Sequence, residues 1–435
     1  MISSHALKNR PSYVKKLIGF QDTEPVKIVT GIRRCGKSSL LQLMQQHLLA
    51  TGVDASQIVA MNFESFAFRD KTAAEIYEAV KQRIVPGRRM YLFFDELQRV
   101  PRWEDAVNAF RVEFDCDIYI TGSNAYLLSS EYATYLAGRY VEIRMLPLSF
   151  REFLAFHGVD LRKRQSALGG FQAVTVAGDI YSVRELFNAY LRFGGMPGLA
   201  DVGLDLEKAR MLLDGIYSTV VMRDILSREE RRGRQTMDAA LLERIVRYLA
   251  DSIGSPVSVS NIGSTLASAG LLAGRKGTPS AHTVQAYIAA LLESYFFYEI
   301  KRYDVKGKAY LRTLGKYYIV DPGLQNFLLG ERDCDRGHML ENIVYLELLR
   351  HGFDVAVGKV RDMEIDFIAT TPAGRTYVQV TESMGSVDVR TRELAPLRAL
   401  SDNYPKIVLT MDEGNRVTED GIRVENVVDW LLESQ

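Results

Sequence analysis

Along the first 145 residues, short apolar runs alternate with segments of helical period. Residues 26–30, 58–63, 90–95, 117–121 and 140–145 read as strands. Residues 37–49, 73–83, 103–114 and 124–136 read as helices. Strands alternating with helices imply βαβ units around a mostly parallel sheet. The strands are near-continuous apolar runs, as expected when helices cover both sheet faces.

Residues 147–235 read as helical, with helices at 149–157, 182–193 and 206–226 and a break at Gly194-Gly195-Met196-Pro197-Gly198. From 236 to 330, three helical segments (239–251, 260–269, 280–294) precede a strand-like run at 295–303. A turn at 305–308 and a second strand-like run at 309–320 follow. Three helices and a two-stranded ribbon form the winged-helix pattern, and Asp321-Pro322-Gly323 closes it as a turn. A helix at 340–351, then strands near 353–358, 363–369, 376–381 and 406–410, form a small α/β unit. The expected domains are therefore 1–146, 147–235, 236–330 and 331–435.

The 435 residues are 47% hydrophobic and 25% charged, the balance of an ordinary globular chain. Lys plus Arg and Asp plus Glu both number 54, so the formal net charge is zero. A wholly basic nucleic-acid coat is thereby excluded, and any nucleic-acid surface must come from local clustering. Cys35, Cys116 and Cys334 are far apart, which argues against a disulfide framework or a zinc ribbon. No apolar run of about 18 residues exists to span a membrane, and the first 17 residues lack the apolar core of a signal peptide. The chain is expected to be cytoplasmic.

Gly31-Ile32-Arg33-Arg34-Cys35-Gly36-Lys37-Ser38 meets every fixed position of G-x-x-x-x-G-K-[ST], after an expected strand and opening an expected helix. The glycines let the backbone curl so that its N–H groups face a concavity sized for phosphate. The helix N-terminus adds positive potential. The cradle is expected to run from Gly31 to Ser39. Lys37 reaches the β- and γ-phosphates, and the Ser38 hydroxyl completes a magnesium shell. ATP and Mg2+ are the expected cofactors. Residues 13–17, just before the first strand, are candidates for gripping adenine.

Tyr91-Leu92-Phe93-Phe94 ends in Asp95-Glu96. An apolar strand delivering a carboxylate at its C-terminal end suits a ligand site. Asp95 is expected to hold magnesium, and Glu96 to deprotonate the attacking water. A plain helix cap uses the same residue types, but the phosphate loop upstream selects the functional reading.

The strand at 58–63 separates the two motifs, and a glutamate follows Asp95. In this the chain resembles the additional-strand ATPases, the group containing the AAA+ proteins, rather than the GTPases. The whole chain is similar to a prokaryotic family of AAA+-type ATPases with a C-terminal domain of unknown function. The stretches that carry the resemblance are Val29-Thr30-Gly31-Ile32-Arg33-Arg34, Gly36-Lys37-Ser38, Phe94-Asp95-Glu96-Leu97-Gln98 with Trp103, Thr121-Gly122-Ser123 and Gly138-Arg139-Tyr140. Further on they are Leu146-Pro147-Leu148-Ser149-Phe150, Gly194-Gly195-Met196-Pro197, Leu340-Glu341-Asn342 and Glu364-Ile365-Asp366-Phe367.

The resemblance implies an α/β fold: an AAA+-like P-loop NTPase parallel sheet, a helical lid, a winged-helix domain and a degenerate PD-(D/E)xK nuclease-like α/β domain. It implies a γ-phosphate sensor at Ser123 or Asn124, which a helix N-cap explains equally well. It also implies an arginine finger at Arg139, with Arg144 as the alternative, in a homo-oligomeric ring such as a hexamer. Such a finger contributes roughly 10³ to 10⁵ in rate. A surface salt bridge is the other reading of Arg139.

In the nuclease-like fold Glu341 and Asp366 match two metal-binding positions, but the third reads Gln379-Val380-Thr381, lacking both acid and lysine. An amide is a poorer magnesium ligand than a carboxylate. Strand alternation aims Glu382 away from Thr381, and Glu364 shares a face with Asp366. A retained fold used for packing or DNA docking is expected, not an active nuclease.

The expected ribbon carries Lys301, Arg302, Lys306, Lys308, Arg312 and Lys316 against Glu299 and Asp304. Positive residues on a wing suit phosphate-backbone contacts; a lysine-blunted sheet edge is the alternative. Arg228, Arg231, Arg232 and Arg234 form a second cluster, partly offset by Glu229 and Glu230. The leading functional expectation is an oligomeric ATPase acting on or with DNA, with an unidentified protein as a further partner and no membrane. A nucleotide-regulated assembly switch with slow hydrolysis and an ATP-gated nuclease are the alternatives.

Overall fold

The computed structural model describes residues 7–125, 138–163, 170–175, 177–227, 237–270, 278–305, 307, 309–310, 315–330, 336–413 and 417–433. Most of the expected helix at 124–136, the cluster at 228–234, Cys334, Lys306, Lys308 and Arg312 lie outside them. The chain divides into two compact units: Met1–Met145 with Glu293–Tyr295, and the remainder.

The first unit is an α/β layer structure. Its helices are α1 (Pro11–Gly19), α2 (Lys37–Ala50), α3 (Ala73–Lys81) and α4 (Trp103–Glu113), and its strands are β1 (Val26–Thr30), β2 (Ile58–Asn62), β3 (Met90–Asp95), β4 (Cys116–Gly122) and β5 (Tyr140–Arg144). All five strands run parallel in the order β2-β3-β4-β1-β5. The strand ending in Asp95 thus lies two places from the P-loop strand, with β4 between them, while β2, which separates the two motifs in sequence, lies at the edge of the sheet. β1 and β3 are buried along their whole length. Val26, Ile28, Leu92, Phe94, Ile118 and Ile120 meet Ile76, Val80, Val107 and Phe110 of α3 and α4. Burying each such side chain stabilises the fold by about 1.5–3 kcal/mol. At the N-terminal edge of this sheet Lys27 is wholly buried and ion-paired to Asp117.

The second unit opens with α5 (Phe150–Phe156), started by a capping box between Ser149 and Glu152. The segment after it is not purely helical as expected. Strands β6 (Val159–Lys163), β7 (Phe171–Thr175) and β8 (Ile180–Tyr181) form a small antiparallel sheet before α6 (Val183–Phe193) and α7 (Leu206–Tyr217). Strands this short carry too few alternations to stand out from their flanks. The expected helix at 206–226 ends at Tyr217 and passes into a wider π-helical stretch, Ser218–Ile225.

Helices α8 (Ala239–Asp251), α9 (Val259–Ser268) and α10 (Ala281–Glu293) follow, with the two-residue strand β9 (Pro256–Val257) between the first two. The ribbon differs from expectation. The run at 295–303 splits into β10 (Phe297–Ile300) and β11 (Arg302–Asp304). The run at 309–320 splits into β12 (Ala309–Tyr310) and β13 (Gly315–Ile319). β10 and β9 flank β13 in one antiparallel sheet. β11 and β12 instead form the edge of the C-terminal sheet, where β11 runs parallel to β14 (Asp354–Val360). The chain changes sheets at Lys301, whose carbonyl accepts the Val357 N–H at 3.0 Å.

After α11 (Pro322–Leu329) and α12 (Arg336–Arg350), strands β14, β15 (Met363–Thr371), β16 (Gly374–Thr381), β17 (Lys406–Thr410), β18 (Val417–Glu419) and β19 (Ile422–Asn426) complete an eight-stranded mixed sheet, ordered β12-β11-β14-β15-β16-β17-β19-β18. Leu394 and Leu397 of α13 (Val387–Arg398) cover it, and α14 (Val427–Glu433) closes the chain. Among the described residues no helix is long and apolar enough to cross a membrane.

Candidate functional site

The phosphate loop begins where β1 ends. Gly31 (φ +143°) and Gly36 (φ +103°) sit in the left-handed region, and a Cβ on Gly31 would lie 2.1 Å from the Met145 carbonyl oxygen. Only glycine fits there. Arg34, also left-handed at φ +63°, completes the curl that delivers Lys37 to the first turn of α2. Ile32 and Cys35 are buried beneath the loop, whereas Ser38 is exposed and Arg33 and Ser39 are partly so. Burial pushes the Cys35 thiol up, more strongly than the nearby Lys37 and Arg10 lower it. Arg10 Nη1 donates to the Cys35 carbonyl at 3.0 Å, and of residues 13–17 Tyr13 and Leu17 are buried.

Lys37 is 4% exposed. Its ammonium donates to the carbonyls of Gly31 (3.0 Å) and Ile32 (3.1 Å) and lies 3.8 Å from Glu96 Oε1. Asp95 Oδ1 accepts from Thr121 Oγ1 at 2.5 Å, and Asp95 Oδ2 from Asn62 Nδ2 at 2.8 Å. Burial raises the Asp95 carboxyl. Hydrogen bonds from Thr121 and Ser38 offset this in part, and the Glu96 charge adds to it. Such a carboxylate has most to gain from a divalent cation, and Ser38 and Asp95 are hard oxygen donors of the kind magnesium takes.

Glu96 is 6% exposed with a left-handed backbone, φ +57°. Its N–H donates to Thr121 Oγ1 at 2.9 Å. Its Oε2 accepts from Gln98 Nε2 at 2.5 Å and from Ser123 Oγ at 2.9 Å. Burial pushes this carboxyl up, but Lys37 and the Gln98 and Ser123 hydrogen bonds outweigh it, so it titrates below its ordinary value. A carboxylate that stays ionised near neutrality is thereby placed beside the phosphate loop.

Of the expected sensor pair, Ser123 touches Glu96. Asn124 Oδ1 is buried and accepts no hydrogen bond from the described residues. Arg139 is exposed, and its carbonyl accepts the Val26 N–H at 2.9 Å. Arg144 is also exposed, 3.4 Å from Glu142. Sequence reasoning placed Thr121 and Gln98 in motif stretches without giving them a role, and missed Asn62. Thr121 and Asn62 had a legible signal: Asn62 ends β2 and Thr121 is the last residue but one of β4, both strands lie beside β3, and Asn62 stands in register with Asp95.

The second unit gathers the nuclease-like positions around a cavity of about 350 Å³ lined in part by His338, Glu341, Asp366, Gln379, Thr381 and Glu393. Glu382 lines it too, against expectation, because β16 ends at Thr381 and strand alternation no longer governs its direction. Lys316, counted with the exposed ribbon on sequence, is instead 3% exposed. It lies 2.7 Å from Glu364 and 3.5 Å from Glu341. Its strand is flanked on both sides, which turns the residue inward. Burial works to lower its ammonium, but Glu341, Asp366 and Glu364 outweigh that and hold it above its ordinary value. Burial raises Asp366, as does Glu341 beside it. Gln379 is committed locally: Nε2 donates to Glu393 at 3.0 Å and Oε1 accepts the Asp366 N–H at 3.3 Å. Arg302 is ion-paired to Glu364 at 3.1 Å, while Lys301 is exposed.

A phosphate loop opening a helix, a paired acidic strand end and a β2-β3-β4-β1-β5 parallel sheet define a P-loop ATPase of the additional-strand, AAA+ class. The chain belongs to a prokaryotic family of such proteins. An AAA-domain family model matches residues 23–154, and a domain of unknown function (DUF8612) matches residues 184–335. An uncharacterized protein of Haemophilus influenzae is 38% identical over 99% of this chain and 100% of its own length. An uncharacterized protein of Methanocaldococcus jannaschii is 27% identical over 91% of this chain and 84% of its own. Among solved structures, the Walker-type ATPase of Pyrococcus abyssi is similar at 18% identity and a TM-score of 0.48, over 74% of this chain and 95% of that one.

Proposed function

We propose that the chain is a magnesium-dependent ATP hydrolase that works as a homo-oligomeric ring and acts on or with DNA. The observation that carries the hydrolase reading is the convergence of Lys37, Asp95, Glu96 and Thr121 at one end of the parallel sheet. The Gly31–Ser39 backbone and Lys37 hold the phosphates. Ser38 and Asp95 hold magnesium, which when bound neutralises charge on the β- and γ-oxygens. Glu96 takes a proton from the attacking water. Ser123 or Asn124 reports the γ-phosphate, and Arg139, exposed and unobstructed by burial, reaches a neighbouring subunit's nucleotide.

Residues 147–235 act as a lid and 236–330 as a winged helix. The α8-β9-α9-α10-β10-β13 order supports the second assignment. The 331–435 unit is a nuclease-like fold used for packing or docking. Support for that comes from the amide at Gln379 and the Lys316 ammonium, which already balances Glu341 and Glu364.

Calorimetry with ATP, with and without magnesium, tests the foundation: no heat from a folded chain would end the reading. Turnover with single- and double-stranded DNA, together with particle size, separates the motor from the switch. Many-fold stimulation by DNA supports the motor. Slow hydrolysis with a nucleotide-dependent change of size supports the switch.

A further inference from the structure

We propose that Gln98 is the positioning residue for Glu96: its amide clamps one carboxylate oxygen and leaves the other as the base. The role rests on the hydrolase reading above. Glu96 has two oxygens in unlike settings. Oε2 already accepts two hydrogen bonds, from Gln98 and from Ser123. Oε1 faces the Lys37 ammonium at 3.8 Å, the side on which the phosphates sit. The free lone pairs of the base are therefore on Oε1.

The backbone enforces this arrangement. Glu96 is left-handed, and the 3-10 turn Leu97–Arg99 follows at once, so the Gln98 side chain folds back onto the carboxylate two residues earlier. A non-glycine residue keeps such a conformation only where its surroundings over-determine it, and Thr121 pins the Glu96 N–H. The Gln98 amide has a second end. Its Oε1 is buried and accepts no hydrogen bond from the described residues. In the reaction Glu96 Oε1 removes one water proton as the water oxygen bonds to the γ-phosphorus. The bond from that phosphorus to the β–γ bridging oxygen breaks, giving ADP and phosphate. Gln98 exchanges no proton; it fixes which oxygen of Glu96 acts.

The test is Q98M, of equal length but without a donor or the carbonyl acceptor, alongside Q98N, whose amide is one methylene short of reaching Glu96. Steady-state kcat and KM, and binding of a fluorescent ATP analogue, are the readouts. Both variants should lose about 10- to 100-fold in kcat, a share of the 10² to 10⁴ a positioned base supplies. KM and analogue affinity should change by less than about threefold, as for a group acting only in the transition state. Wild-type turnover in either variant would overturn the proposal, as would parallel loss of turnover and binding. Absence of turnover in the wild-type chain would instead bring down the hydrolase reading, and this role with it.

Discussion

Lys37 Nζ lies 3.8 Å from Glu96 Oε1, and both side chains are buried. The loop lysine is therefore the main electrostatic partner of the Glu96 carboxylate. Removing it leaves an uncompensated buried carboxylate, which typically costs about 3–5 kcal/mol. Lys37→Ala should weaken ATP binding and also destabilise the nucleotide-free chain in urea. Adding Glu96→Gln should recover part of that stability, because neighbours sharing a charge couple by about 0.5–3 kcal/mol. Strict additivity in the double-mutant cycle would show the pair to be incidental. Glu96→Gln alone should bind ATP and not split it.

Gly31 tests the loop without touching a charge. An alanine Cβ would meet the Met145 carbonyl oxygen at 2.1 Å on a backbone at φ +143°. The loop must then move away from β5. Gly31→Ala should abolish nucleotide binding while leaving the helical circular-dichroism signal of the chain in place. Wild-type affinity in calorimetry would contradict the strain argument.

The first unit was legible because its three central strands, β1, β3 and β4, are buried on both faces and its helices are amphipathic. Val26–Thr30 and Met90–Asp95 fall where the sequence places them, and the phosphate loop declares itself through glycines with a steric reason. The second unit was less so. Lys316 carries no local mark of burial; only the pairing of β13 with both β10 and β9, and the carboxylates of α12 and β15, turn it inward. The ribbon at 295–320 looks like one hairpin because its alternation continues through Lys301, where the chain changes sheets. Gln98 stands in a motif stretch, but its contact with Glu96 follows from a left-handed Glu96, which no hydrophobic pattern encodes.

Asp321 ties Gly195 to α11. It accepts the Gly195 N–H at 2.6 Å and the Leu324 N–H at 3.1 Å, and a Cβ on Gly194 would collide with its Oδ1. Burial pushes its carboxyl up to about 6, and backbone N–H groups of Gly195, Leu324 and Gly323 keep it from rising further. The folded value is above the unfolded one, so the folded state binds more protons between them. The stability this contributes is full below about pH 4 and is lost as pH rises through about 6, amounting to about 3 kcal/mol. Asp321→Asn should be less stable overall, since one acceptor and one donor replace two acceptors. It should also lose that slope. Urea unfolding from pH 4 to 7 checks it, and equal slopes in the two proteins would refute the assignment.

DNA contact, if made by the ribbon, must come from its exposed cations. Lys301 is exposed, Arg302 is paired to Glu364, and Lys316 is buried between Glu341 and Glu364. A lysine that neutralises a phosphate releases counterions, so each such contact adds about one to the slope of log affinity against log salt. Lys301→Ala should weaken duplex binding at low salt and reduce that slope by about one. Lys316→Met should leave the slope unchanged while destabilising the fold, and Glu341→Gln in the same chain should restore part of the stability. A duplex titration from low to physiological salt measures both variants. A reduced slope in Lys316→Met would mean that the buried ion cluster opens on DNA. No binding of the wild-type chain at the lowest salt would remove the ribbon from the DNA reading.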